Sequence, residues 1–282
     1  MPSATTDDGL TLSWTERGSG APLLCHAGGP GCASRYYGDL AQLAAERTLL
    51  LLDPRGTGAS DRPPDPSAYR LEQYAADVEM VRKHLGLDRL DLLGHSHGGF
   101  VAIVWAATYP ESVGRLVLAS STPRFTDAIR EARRVRVASH AGQPYFQDAL
   151  DALQAHQEGR YANDEELAAL YRREWPLFLP VGSDGSTIAA VLSRAGNNAD
   201  ALRYFNEHVS NGMDLRPQLA SIHSPTLVIT GELDPFESSA REIAEALPDA
   251  TVVVQPNADH FPFLEPHSRA GWSRAVLRFL AA

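Results

Sequence analysis

Apolar runs at 22–25, 48–52, 90–93, 115–119, 226–230 and 251–254 are too short for helices, and they are continuous rather than alternating. Strands of that kind are covered on both faces, which points to a parallel sheet. Ahead of them Leu10, Leu12 and Trp14 alternate with polar residues until Arg17-Gly18-Ser19-Gly20 breaks the pattern, as an antiparallel edge strand and its turn would. Helical periodicity fills the intervals at 71–85, at 98–109 before Pro110, and at 238–247 before Pro248. Strand and helix in alternation predict an open α/β sheet, whose ligands gather at the carboxyl ends of the strands.

The regularity stops between Pro123 and Pro225. Helical patterns occur there at 129–140, 146–157, 164–175 and 201–209, without a strand. The expected organisation is a sheet domain built from 1–123 and 225–282, with a helical cap, 124–224, inserted between them. Arg130, Arg133, Arg134 and Arg136 read as one solvated helix face of that cap.

Composition narrows the partners. The chain has 282 residues, 44% of them hydrophobic and 21% charged, enough to bury a core. Its net charge of −10 gives no footprint for nucleic acid or an anionic membrane. The one lysine, Lys83, sits beside Arg82 and His84 in a polar helical stretch and reads as a solvated charge rather than a Schiff-base lysine. Cys25 and Cys32 read as reduced thiols. The first twenty or so residues lack a basic start and apolar run, and no long uncharged apolar stretch follows, so a cytoplasmic location is expected.

The sharpest chemical signal is Gly94-His95-Ser96-His97-Gly98-Gly99, between an apolar run and a helical pattern. It fits a nucleophile elbow, G-x-S-x-G, where a strand turns abruptly into a helix and presents the serine at the apex. A side chain at 94 or 98 would collide with neighbouring backbone in so tight a turn. A serine nucleophile needs a base, and the base needs an orienting acid. Asp234 follows the run at 226–230 and His260 the run at 251–254, so both belong to loops at strand carboxyl ends. Asp259 reads as a surface residue, since neighbours on an extended loop point apart. His95 and His97 form a His-x-His pair near His26, but a metal would need further convergent ligands, so no metal is expected. His97 is expected to contribute its backbone N–H, and Gly28, in His26-Ala27-Gly28-Gly29-Pro30-Gly31, the second donor of an oxyanion hole.

These segments together resemble the α/β-hydrolase superfamily: 26–31, Asp53-Pro54-Arg55-Gly56-Thr57-Gly58-Ala59-Ser60, 94–99, Asp234, and His260 with Phe261, Pro262, Glu265 and Pro266. The Gly-Gly-Pro-Gly loop and the Asp-x-Arg-Gly-x-Gly-x-Ser segment are most similar to the proline iminopeptidase group, which removes N-terminal proline from peptides. Two features depart from that group. Its elbow usually reads Gly-Gly-Ser-Trp-Gly, and its tryptophan-rich cap segment with an amine-binding glutamate is matched here only by Glu174-Trp175. Glu165, Glu166, Glu174 and Glu207 are the candidate carboxylates, and Glu174, Trp175 and Glu207 are the expected substrate contacts; solvent exposure is the simpler reading of the glutamates.

The expected function is a cofactor-independent serine hydrolase of a small-molecule or short-peptide ester or amide, with Ser96, His260 and Asp234 as the triad and Gly28 and His97 as oxyanion donors. A cofactor-free haloperoxidase or perhydrolase, a carbon–carbon bond hydrolase, and a ligand receptor on the same scaffold remain alternatives. The sequence does not fix an oligomeric state.

Overall fold

The computed structural model describes residues 1–183, 191–192 and 196–281. Eight strands form one sheet: β1 (Ser3–Thr5), β2 (Thr11–Arg17), β3 (Ala21–His26), β4 (Arg47–Asp53), β5 (Leu90–His95), β6 (Val113–Ala119), β7 (Thr226–Gly231) and β8 (Ala250–Gln255). Their spatial order is β1-β2-β4-β3-β5-β6-β7-β8. β1 and β2 are antiparallel to their neighbours and the rest are parallel, as the alternating opening and the continuous runs imply. The chain leaves β3 to one side for β4 and returns to its other side for β5. That reversal opens a crevice at the carboxyl ends of β3 and β5, where α/β sheets bind ligands.

The described helices are α1 (Leu71–His84), α2 (His97–Thr108), α3 (Asp127–Ala138), α4 (Phe146–Gln157), α5 (Asp164–Glu174), α6 (Ala199–Tyr204), α7 (Arg216–Leu219), α8 (Glu237–Ala246) and α9 (Arg269–Ala281). Consecutive strand residues point to opposite faces, and both faces are covered. Leu24, Leu50, Leu92, Leu118 and Val228 pack with Val78 of α1, Val101 of α2 and Ile243 of α8. Leu23, Leu49, Leu93, Val117 and Leu227 pack with Trp272 and Val276 of α9 on the other face. Burial of each such side chain is worth about 1.5–3 kcal/mol. At the open edge β8 has one neighbouring strand, and Val252 and Val254 are exposed, so this run is not covered on both faces as its sequence suggests. β1 is too short to carry a pattern of its own, whereas α9 presents Trp272, Val276 and Leu280 at helical spacing, an element beyond those expected.

Helices α3 to α7 lie between β6 and β7 in the chain. Residues 184–190 and 193–195 of the expected cap lie outside the described residues. α3 starts where the Thr126 side chain accepts a hydrogen bond from the Ile129 N–H, and α6 where the Asn198 side chain accepts from Asp200 and Ala201. Asn198 also ties this segment to the sheet domain, its Nδ2 donating to the Gly56 carbonyl at 2.9 Å and to the Tyr69 hydroxyl at 2.8 Å. A second tie is ionic. Arg136 Nε lies 2.5 Å from Asp259 Oδ2, the carboxylate buried and the arginine largely so.

That pair corrects two expectations. Asp259 is an enclosed ion-pair partner, not a surface residue, because its loop is roofed by α3. The arginines of α3 do not share one solvated face: Arg134 is exposed and paired with Glu131, whereas Arg136 turns inward.

Candidate active site

Ser96 lies between β5 and α2, at the position just before the helix, with φ 52° and ψ −115°. A positive φ is unusual for a residue with a side chain, and here three hydrogen bonds hold it. The Ser96 N–H donates to the Ala119 carbonyl at 2.9 Å, while its own carbonyl accepts from the Gly99 N–H at 2.9 Å and from Ser121 Oγ at 3.0 Å. A Cβ on Gly94 would run into the Gly98 carbonyl, and one on Gly98 into the carbonyl of His26, so both glycines are required by close approach.

Asp234 follows β7 and His260 follows β8. Their side chains meet, with His260 Nδ1 at 3.1 Å from Asp234 Oδ2. Asp234 is buried, which by itself would raise its pKa. The charge and hydrogen bond of His260, with the Phe236 N–H donating to Oδ1 at 3.0 Å, outweigh that and hold the carboxyl below its ordinary value. Ser96 and His260 both line a cavity of about 520 Å³. Among the described residues Ser96 Oγ makes no hydrogen bond, to His260 or to any other group.

The loop after β3 differs from expectation. The Gly28 N–H is not free: it donates to the Tyr36 hydroxyl at 2.6 Å. Tyr36 in turn lies 2.9 Å from His95 Nδ1, and His95 Nε2 lies 2.9 Å from the His260 carbonyl. Burial, with the nearby His260 adding to it, pushes the His95 pKa down to about 3, so the ring is neutral. Nε2 faces a carbonyl and must carry the proton; Nδ1 therefore accepts from Tyr36, whose oxygen accepts from Gly28. The chain of bonds is complete. It links the loop after β3 to the backbone of His260, and nothing in the sequence announced Tyr36 as its middle member. Gly29 lines the same cavity, and its N–H has no acceptor among the described residues, nor has that of His97.

The other histidines sit in packing. The His97 ring is buried against Tyr74 and Phe205, each with ring centres 5.4 Å away, and burial takes its pKa down to about 3. His26 is buried too, at about 4 for the same reason. Among the described residues no three His, Cys, Asp or Glu side chains are grouped as metal ligands.

Across the cavity stand residues of the inserted helices. Glu174 and Trp175 line it, so the solvent-exposed reading fails for Glu174, whose two carboxylate oxygens each lie 3.0 Å from His156 Nδ1. Glu165 and Glu166 are exposed. Glu207 is also exposed and does not line the cavity; its carboxylate lies 3.7 Å from His208 instead. The turn of π-helix Phe205–Val209 that carries it directs Phe205 and Asn206 to the cavity, leaving Glu207 on the outside, so its assignment as a substrate contact is withdrawn. Arg130, Arg133, Tyr171 and Phe178 complete much of this wall.

A family model of the alpha/beta hydrolase fold matches residues 21–266. A 2-(acetamidomethylene)succinate hydrolase of Mesorhizobium japonicum is 30% identical over 89% of this chain and 86% of its own length. A proline iminopeptidase of Clostridium botulinum is also 30% identical, over 89% of this chain and 87% of its own. Among solved structures, an alpha/beta fold family hydrolase from Bacillus anthracis superposes with a TM-score of 0.77 over 99% of this chain and 98% of that one; at 21% identity the likeness is one of fold. The chain belongs to the α/β-hydrolase family, in its proline iminopeptidase-like group. Among the described residues no helix is long and apolar enough to cross a membrane.

Proposed function

We propose that this α/β hydrolase is a serine hydrolase acting on an ester or amide of a small molecule through an acyl-enzyme, beneath a cap formed by the helices between β6 and β7. One observation carries the reading: a serine on a strained strand-to-helix apex and an Asp-paired histidine open onto the same cavity. Ser96 Oγ attacks the substrate carbonyl. His260 Nε2 takes the hydroxyl proton and returns it to the leaving group, then repeats the exchange with a water that releases the acid. Asp234 fixes the tautomer with the proton on Nδ1 and stabilises the imidazolium while it lasts.

The developing oxyanion needs donors that are not already spent. With Gly28 bound to Tyr36, the pair becomes the Gly29 and His97 N–H groups, the latter at the N-terminus of α2 where negative charge is favoured. Such a donor is worth about 3 kcal/mol of barrier. An iminopeptidase would also need a carboxylate for its substrate's ammonium. Glu174 is the single carboxylate on the described cavity wall, and it is engaged by His156, so the ester or non-peptide amide reading is preferred.

Labelling with a fluorophosphonate, followed by turnover of p-nitrophenyl esters and proline naphthylamide, tests this. Ser96→Ala should abolish labelling and lower kcat about 10³- to 10⁶-fold. Labelling that survives in Ser96→Ala removes the nucleophile, and amide turnover far above ester turnover restores the peptidase.

A further inference from the structure

Helix α3 turns Arg136 into protein, while Arg130 and Arg133 line the cavity and keep solvent exposure. Ile129, Arg133 and Arg136 recur at the spacing of one helix face. Ile129 is buried, Arg136 ends in the Asp259 pair, and Arg133 lines the cavity that holds Ser96 and His260. The other two are satisfied locally, Arg130 by Asp127 at 3.0 Å and Arg134 by Glu131 at 2.6 Å.

Arg133 has no such partner. Among the described residues no carboxylate oxygen lies within 4.0 Å of its guanidinium, and it donates no hydrogen bond. Its one aromatic contact is a cation–π approach, the Phe178 ring centre lying 5.9 Å from Cζ, which leaves its hydrogen-bond donors free. Two carboxylates reach it through space, Glu174 and Asp234, and each is committed to a histidine, His156 and His260. Arg133 keeps solvent exposure where it lines the cavity, and the protein packed around it pulls its pKa below the ordinary arginine value against the pull of those two carboxylates, although the guanidinium stays charged.

The charge of the cavity contrasts with that of the molecule. The chain carries −10 overall, yet Arg130 and Arg133 face the space around Ser96 against Glu174 alone, with His95 and His97 held neutral. A cation beside Phe178 and Phe236 with no carboxylate of its own gains from an anion that arrives with the ligand, through charge-assisted bonds that strengthen as the ligand displaces water.

We infer that Arg133 binds a carboxylate carried by the substrate, so that the esters or amides hydrolysed here are those of carboxylated small molecules. This deepens the serine-hydrolase reading and rests on it. A carboxylate seated on the planar guanidinium makes two parallel bonds, which fixes the orientation of the reacting carbonyl as well as the affinity. The same cation repels the ammonium of an unblocked peptide.

Two matched ester pairs test the inference. In the first, p-nitrophenyl monoglutarate is compared with p-nitrophenyl pentanoate, placing the carboxylate on the acyl half. In the second, the butyrate of 4-hydroxybenzoate is compared with the butyrate of its methyl ester, placing it on the leaving group. The protein should prefer the carboxylated member of at least one pair by tenfold or more in kcat/KM, and the pair that shows it identifies the half. Arg133→Gln should bring that selectivity ratio down to about one, mainly through KM. Arg133→Lys should keep part of it, and the exposed Arg134→Gln all of it. Equal turnover within both pairs overturns the inference, as does an equal effect of Arg133→Gln and Arg134→Gln.

Calorimetry separates this from the identity of the nucleophile. Glutarate should bind Ser96→Ala protein and fail to bind the Ser96→Ala, Arg133→Gln double variant, whatever residue attacks the carbonyl. Glutarate held equally by both, with circular dichroism showing both folded, sinks the arginine site and leaves the serine reading standing. Labelling unaffected by Ser96→Ala does the reverse.

Discussion

The two walls of the cavity are built by different rules. On the sheet side, Ser96, Asp234 and His260 each occupy the first loop beyond the carboxyl end of a parallel strand, so backbone topology alone delivers them to one place. On the helical side, Arg133, Glu174 and Trp175 come from helices with no shared sheet register, and their direction depends on how each helix is rolled against its neighbours. The first wall is fixed by hydrogen bonds between main chains. The second is fixed by a few side-chain ties, with Arg136 to Asp259 the most enclosed of them. Chemistry is assigned to the rigid wall and selectivity to the adjustable one.

The largest expected effect breaks this contrast most directly. Asp234→Asn should lower kcat/KM about 10⁴-fold while leaving fluorophosphonate-accessible protein folded, because the amide holds His260 in the wrong tautomer. Steady-state kinetics checks it. A loss of less than tenfold would mean that the sheet-side wall does not carry the reaction.

Next in size is the tie between the walls. Arg136→Gln leaves Asp259 buried without its cation and should cost about 3–5 kcal/mol of stability at pH 7.5, read by urea unfolding. Burial already raises the Asp259 pKa to about 6, against the opposing charge of Arg136. A carboxyl with a raised folded pKa binds its proton more tightly when folded, so its charge costs stability above that value and not below it. The penalty of Arg136→Gln should accordingly shrink at pH 5. A variant as stable as the parent at both pH values would show that the helical wall is held by packing alone.

This difference also governs what could be read from the sequence. The apolar runs and the Gly-x-Ser-x-Gly turn are local signals, and the strand-end loops followed from them. Arg136 gave the same local signal as Arg130, Arg133 and Arg134, four charges on a polar helix, and only its spacing of seven from the buried Ile129 marks it as the inward one. Glu207 failed for a related reason, since a turn of π-helix shifts its phase relative to Phe205 and no composition marks that. Tyr36 and the engaged amide of Gly28 were hidden because their link is a tertiary hydrogen bond between segments with no common periodicity. Asp259 was misjudged by its neighbour: adjacent side chains do point apart, but here the other direction leads to Arg136 rather than to water.

The smallest expected effect sharpens the comparison from the sheet side. Glu265 supports the loop of His260, its Oε1 accepting from the Asp259 N–H at 2.9 Å. Its Oε2 is buried without a hydrogen bond, the closest cationic candidate being His267 Nε2 at 3.6 Å. Burial first, and then the nearby charges of Asp259 and Asp234, raise its pKa to about 8 despite the Asp259 N–H and Arg136. The folded protein therefore holds this proton more tightly than the unfolded chain, and stability present at acid pH is lost as pH rises through about 8. Asp259 has completed its own titration by then, and the buried thiols of Cys25 and Cys32 weigh equally on parent and variant, so the difference between the two from pH 7 to 9 reports Glu265. Glu265→Gln keeps an acceptor for the Asp259 N–H and has no charge to gain. Over that interval its stability, measured by urea unfolding, should fall about 1–2 kcal/mol less than that of the parent. Parallel pH profiles would instead show that the loop holding His260 relaxes to hydrate the carboxylate, which would make this wall adjustable as well.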